Sequence, residues 1–171
     1  MKRLIVTADI HGSFSTWLTV KELIRKDDFL AVAGDLFDTK FGNRMDSDFQ
    51  PEFIREDAAS ICDRLFYVYG NCDTESFFPK YTRHLEFSMF GRHILLTHGH
   101  RFLPETSFDP GIIIQGHTHV PKLEKINGVV HMNPGSLKKP KNRIYTYGII
   151  ENGSAAIIDL KNNTALSRIT I

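Results

Sequence analysis

Cysteine is scarce in this chain: Cys62 and Cys72 are the only two among 171 residues. Two cysteines cannot build a disulfide framework, and with no Cys-x-x-Cys pair no thiolate zinc clip is indicated. Long apolar runs are missing too. The N-terminal Met1-Lys2-Arg3-Leu4-Ile5-Val6-Thr7-Ala8-Asp9 sets basic before apolar residues, but the run stops at Asp9, too short for a signal-peptide core. No stretch approaches the roughly 20 apolar residues of a membrane span. Net charge is nearly absent, at +1 with neutral histidine, so no global field draws the chain to nucleic acid or to a membrane surface. There is no internal repeat, low-complexity segment or linker. These absences predict a cytoplasmic protein with reduced thiols, no membrane partner and no indicated nucleic-acid partner. They leave a homo-oligomer open.

What is present suits one globular domain spanning residues 1–171. Hydrophobic residues make up 42% of the chain, and a domain of this length buries roughly 68–70% of its unfolded surface without disulfide staples. Leu4–Ala8, Phe29–Ala33 and Leu65–Tyr69 read as short buried strands. Between them, Ser15–Lys26 reads as a helix capped by Ser13 or Ser15, with Trp17, Leu18, Leu23 and Ile24 on one face. A second helix should start at Pro51 and run to about Arg64, with Cys62 on its core face. Phe37–Gln50 has no period and reads as a long loop, either a wall of a site or a plain variable connection. Beyond Tyr69 the pattern turns to hairpins: Glu86–Phe90 and His93–Thr97 around Gly91-Arg92, Lys122–Ile126 and Val129–Met132 around Asn127-Gly128, and Arg143–Glu151 and Ala155–Leu160 around Asn152-Gly153. Gly111–Gln115 and Ala165–Ile171 complete the strands. The shift from strand–helix–strand units to hairpins predicts two mixed sheets of one core, flanked by helices.

Polar residues of metal-binding type follow the strands in five signatures: Asp9-Ile10-His11, Gly34-Asp35, Gly70-Asn71-Cys72-Asp73, Thr97-His98-Gly99-His100 and Gly116-His117-Thr118-His119. Taken singly, each has an ordinary reading as a loop or turn residue. Jointly they form a site, because parallel crossovers of this spacing place strand C-termini on one edge. Asp9 lies 26 residues before Asp35, and Asp35 lies 36 before Asn71. Imidazole and carboxylate together suit Mn, Fe, Co, Ni and Zn. Seven ligands, Asp9, His11, Asp35, Asn71, His98, His117 and His119, exceed the three that a catalytic zinc takes. They suit two divalent ions sharing a carboxylate, about 3.5–4 Å apart, clamping the oxygens of a phosphate ester. Two such ions carry about +4 against two aspartates and a hydroxide, a balance that attracts a phosphate anion.

This ordered set resembles the calcineurin-like metallophosphoesterases over Met1 to about Ile150. Gly70-Asn71-Cys72-Asp73, Thr97-His98-Gly99-His100 and Asn133-Pro134-Gly135-Ser136 resemble the small YfcE-like phosphodiesterase branch. The resemblance implies a four-layer α/β/β/α sandwich. It also implies one ion held by Asp9, His11 and His119, another by Asn71, His98 and His117, Asp35 as the bridge, and manganese as a common activator. The activity it implies is hydrolysis of phosphate diesters by a metal-bridging hydroxide, with a phosphate ester as substrate. A phosphomonoesterase and a non-catalytic Vps29-like scaffold are the alternatives.

Several residues near the signatures have two readings. Cys72 stands where many relatives carry a histidine that protonates the leaving group. It is either a weak acid, with a reference pKa of about 8.5, or a small packing residue. His100 either faces the substrate phosphate or bonds the backbone. Asp73 either orients a ligand through a hydrogen bond or caps a helix. Asn133-Pro134-Gly135-Ser136 is a turn that the resemblance casts as a buttress. Lys138-Lys139-Pro140-Lys141-Asn142-Arg143 either meets a phosphate-rich substrate or is a solvated loop.

Overall fold

The computed structural model describes residues 2–171. In chain order its elements are β1 (Leu4–Thr7), α1 (Phe14–Leu23), β2 (Phe29–Val32), α2 (Pro51–Ser60), β3 (Leu65–Tyr67), β4 (His84–Met89), β5 (Arg92–Thr97), β6 (Ile112–Ile114), β7 (Lys122–Ile126), β8 (Val129–Asn133), β9 (Thr146–Glu151), β10 (Ser154–Asp159) and β11 (Thr164–Thr170). They form two mixed sheets, ordered β11-β10-β9-β1-β2-β3 and β4-β5-β6-β8-β7. Strands β1, β2 and β3 run parallel, as do β5, β6 and β8.

The central parallel strands are largely apolar because both faces are covered. On β1, Ile5 packs with Trp17, Val20, Ile54 and Ala58 of the helices, whereas Leu4 and Val6 pack with Ile94, Leu96, Ile112 and Ile114 of the second sheet. Both α-helices therefore lie on the outer face of the first sheet. The two stacked sheets are as expected. The outermost layer over the second sheet is coil: in the β5–β6 crossover Ser107 donates to Glu86, from its backbone N–H at 2.9 Å and from its hydroxyl, and Phe108 stacks on His93 at 4.4 Å. Pro104 and Pro110 leave five residues between them, too few for a stable helix.

Other details depart from the sequence reading. Helix α1 starts at Phe14, capped by Ser13, whose hydroxyl accepts from the Thr16 N–H at 3.3 Å, and it ends at Leu23 rather than Lys26. Its buried face is Thr16, Trp17 and Val20, and Leu18 points to solvent. Helix α2 stops at Ser60 and passes into a 3₁₀ turn at Cys62–Arg64. That tighter turn rotates Cys62 off the helical face, so Cys62 is exposed and not core. The first hairpin turns on Phe90-Gly91, one residue early, with Met89 paired to Arg92. Both turn residues have positive φ (53° and 70°), which a tight two-residue hairpin requires. Asn127-Gly128 turns as expected, with φ of 50° and 86°. Among the described residues no helix is long and apolar enough to cross a membrane.

Candidate metal centre

The parallel strands β1, β2 and β3 and the strands β5 and β6 all deliver their C-terminal ends to one edge of the sandwich, where α/β sheets place ligands. Asp9 and His11 follow β1, Asp35 follows β2, Asn71 follows β3, His98 follows β5, and His117 and His119 follow β6. Five of these seven, Asp9, His11, Asp35, His117 and His119, have φ between 51° and 68°. Left-handed backbone is uncommon outside glycine, and its concentration here marks a site where local strain is tolerated for position. Close approach is the other local device. A Cβ at Gly70 would fall 2.0 Å from Asp35 Oδ1, and one at Gly34 would fall 2.5 Å from His98 Nδ1. These glycines let the loop of one signature abut that of another.

Two clusters result. In the first, His119 Nε2 lies 3.4 Å and His11 Nε2 4.0 Å from Asp9 Oδ1. In the second, His98 Nε2 lies 3.2 Å from Asp35 Oδ2 and 3.0 Å from Asn71 Oδ1. Asp9, Asp35 and His98 also form a group whose potential donor atoms lie within 4.8 Å of one another, so the clusters are contiguous. The His117 ring stands at the exposed rim, 5.1 Å from that of His98, and its backbone N–H donates to Asp9 Oδ2 at 3.0 Å.

The other nitrogen of each inner imidazole is committed elsewhere. His98 Nδ1 donates to the Ala33 carbonyl at 2.8 Å and His119 Nδ1 to the Lys139 carbonyl at 2.9 Å. A carbonyl only accepts, so in their neutral forms these rings carry the proton on Nδ1 and a lone pair on Nε2. His11 Nδ1 lies 3.0 Å from the Asp38 carboxylate, which imposes the same tautomer. Consequently two lone pairs face each other across 3.3 Å between His11 and His119. Beside them Asp9 Oδ1 is fully buried with no hydrogen-bond partner. Two lone pairs and an orphaned carboxylate oxygen repel one another unless a proton or a metal cation lies among them, and a metal can engage all three at once. The donor set therefore fits a divalent metal.

The electrostatics agree. Burial, strengthened by the neighbouring Asp35 charge and only partly opposed by His98, pushes Asp9 up to about 7. Burial acts on Asp35 in the same direction, but the His98 hydrogen bond and charge and the Cys72 N–H outweigh it and hold Asp35 below the usual carboxylate range. Such a split is how two neighbouring carboxyls share one low-dielectric site. Burial lowers His117, His119 and His100, while carboxylate neighbours outweigh burial and raise His11 and His98.

Around the clusters, Asp73 is neither a helix cap nor a partner of a ligand side chain. Its carboxylate accepts from the N–H groups of Leu36, Phe37, Asp38 and Gly70 and from the Tyr67 hydroxyl, tying the Asp35 loop to the Asn71 loop. Cys72 is buried. Its N–H donates to Asp35 at 2.8 Å, its sulfur accepts from Asn71 Nδ2 at 3.2 Å, and burial drives its thiol pKa far up. His100 sits 5.2 Å from the His98 ring, its Nδ1 buried without a partner. Asn133 donates to the Gly116 carbonyl at 2.7 Å and Ser136 to the Asp9 carbonyl at 3.1 Å, so that turn is a buttress. Lys138 pairs with Asp48 at 2.9 Å, which removes it from any free basic patch. The functional residue missing from the sequence reading is Asp38. A second Asp three positions after Gly34-Asp35 was the available signal.

The family model for the calcineurin-like phosphoesterase superfamily domain matches residues 1–155. Phosphodiesterase YfcE of Escherichia coli K12 is 28% identical over 182 residues, covering all of this chain and 99% of that one. A probable metallophosphoesterase of Mycoplasma pneumoniae is 29% identical, covering 94% and 96%. Among solved structures, the E. coli YfcE phosphoesterase superposes with a TM-score of 0.84 at 27% identity, covering 99% of both chains. Vacuolar Protein Sorting 29 of Cryptosporidium parvum, at 16% identity with 99% and 98% coverage and a TM-score of 0.70, shares the fold. The chain belongs to the calcineurin-like phosphoesterase superfamily and, within it, to the YfcE-like branch of metal-dependent phosphoesterases.

Proposed function

We propose that the site holds two divalent ions, manganese first among the candidates, and that the protein hydrolyses phosphodiesters. The observation that carries this reading is the meeting of the His11 and His119 lone pairs with the orphaned Asp9 oxygen. Asp9, His11 and His119 would hold one ion. Asn71, His98 and His117 would hold the other, with Asp35 between them. When bound, such ions neutralise phosphate charge and make a nucleophile available from water near neutral pH.

The chain's own residues do the rest. Asp38 and the Ala33 and Lys139 carbonyls fix three imidazoles with Nε2 inward. Asn71 turns its carbonyl oxygen to His98 because its amide donates to Cys72. His100, whose buried Nδ1 has no partner, would turn that nitrogen outward to donate to a non-bridging phosphate oxygen. Cys72 keeps its proton, since burial pushes its thiol upward, and it positions the Asn71 amide instead of serving as the acid. A site without a strong proton donor favours esters whose leaving group needs little help, which supports diesters of acidic alcohols over alkyl monoesters. The free thiols of Cys62 and Cys72 suit a reducing, cytoplasmic setting.

The test is metal analysis of purified protein together with turnover of bis-p-nitrophenyl phosphate and p-nitrophenyl phosphate under saturating Mn²⁺. Two ions per chain and faster diester turnover are expected. Faster monoester turnover would make it a monoesterase. No hydrolysis of either ester would point to a scaffold.

A further inference from the structure

Beside His11 a small cavity of about 100 Å³ opens onto the first ligand cluster. Its walls include Asp38, Phe41, Asp46, Phe49 and Lys139. We propose that it receives one arm of the diester, a neutral group on the scale of a single aromatic ring. The inference rests on the phosphodiesterase reading above and adds the substrate class.

Size comes first. At about 100 Å³ it is smaller than the roughly 150 Å³ cavity that takes benzene, so a single ring would enter it in part and lean on the open rim, and a nucleoside is excluded. Charge comes next. Asp38 and Asp46 outnumber the one wall cation without an acidic partner, Lys139, and so disfavour a second anion there, while Lys138 is already neutralised by Asp48 at 2.9 Å. Shape is the third point. Phe41 stands 72% exposed at the rim, where a ring entering the cavity can stack on it. The wall behind it is held firmly. The Phe49 ring fits against Gly12 and Gly42, where a Cβ would fall within 2.4 Å and 2.1 Å of it. Asp48 accepts from Ser13, Ser15 and Lys138, and the Gln50 N–H donates to the Gly12 carbonyl at 2.8 Å. A pre-formed pocket of this kind selects by fit, with no loop-ordering cost.

The position completes the argument. His11 lines both the cavity and the first cluster, so a group in the cavity is within one ester bond of a phosphate at the cluster. Gly99, Gly116 and Thr118 border a separate and larger groove of about 410 Å³, so the smaller arm belongs in the cavity beside Phe41.

The test is calorimetric binding of phenylphosphonate and methylphosphonate to the Mn²⁺-loaded full chain, which needs no turnover. In wild type, phenylphosphonate should bind more tightly. Phe41→Ala should weaken phenylphosphonate about 3- to 10-fold, the range for one aromatic contact, and leave methylphosphonate unchanged. Phe41→Tyr should restore the preference. Equal loss for both ligands, or no preference in wild type, would overturn the proposal. A phenyl preference that depends on Phe41 in a protein hydrolysing no diester would uphold the cavity and refute the phosphodiesterase reading.

Discussion

Asp9→Asn should stabilise the metal-free protein while abolishing its metal response. The Asp9 carboxyl is raised from 3.8 to about 7, first by burial. It therefore holds its proton more tightly folded than unfolded. Below about pH 4 both states are protonated and the group contributes nothing. As pH rises from there to about 7 the unfolded chain ionises first, and folding loses stability; above about 7 the loss is constant. A difference of about 3 pKa units is at most about 4 kcal/mol. An amide removes this cost. Its oxygen can still accept from the His117 N–H at 3.0 Å, and its nitrogen can donate to the His119 lone pair, 3.4 Å from the atom it replaces. Urea denaturation in EDTA from pH 4 to pH 8 is the assay. The variant should gain on wild type steadily with pH and lead by several kcal/mol at pH 8. Addition of Mn²⁺ should reverse the order, since only wild type gains binding free energy. A variant no more stable than wild type at pH 8 without metal would refute the account of an uncompensated buried carboxylate.

Asp38→Ala removes the acceptor that orients His11, and Mn²⁺ affinity by calorimetry should fall about 10- to 100-fold. An unchanged affinity in a folded variant would remove Asp38 from the site. Gly70→Ala drives a methyl into Asp35 and its backbone N, so the melting temperature and the phosphoesterase rate should both fall, the rate by more than tenfold; a fully active variant would show that the loops can part. Mn²⁺ affinity should weaken on acidification, starting above pH 6.5, because His11 and His98 are both raised and must be neutral to ligate. Flat affinity from pH 8 to pH 5.5 would contradict this. Ser13→Ala removes the α1 cap and one partner of Asp48 and should cost about 0.5–2 kcal/mol in chemical denaturation.

The strand ends and the gathering of the candidate residues were legible because both rest on local chemistry. Apolar runs such as Leu4–Ile5–Val6 need burial on both faces, and parallel crossovers then gather Asp9, Asp35 and Asn71 without further information. Asn127-Gly128 declares its turn through the backbone freedom of its two residues. What was not legible depends on rotation or on distant partners. Leu18 and Cys62 were expected on apolar faces, but the buried face of α1 runs through Thr16, Trp17 and Val20, and the 3₁₀ turn after α2 carries Cys62 outward. Asp38 looks like any loop carboxylate until His11, 27 positions earlier, is seen 3.0 Å away. Asp73 has the spacing of a cap or a ligand partner, yet five donors from three segments converge on it. The coil over the second sheet follows from Pro104 and Pro110, which invite a break but do not say what fills the space.

The left-handed backbone at Asp9, His11, Asp35, His117 and His119 narrows the alphabet at those positions twice. Coordination chemistry admits Asp, Glu, His, Cys and Asn. The conformation favours Asn, Asp and His, which enter it several times more readily than other side chains. Glutamate and cysteine satisfy the first filter and fail the second. Drift at these positions is thereby channelled towards exchanges among three residues. An Asp-to-Asn step keeps the loop and discards the charge. On the proposed metal reading, such an exchange would remove a ligand charge while leaving the loop that carries it intact.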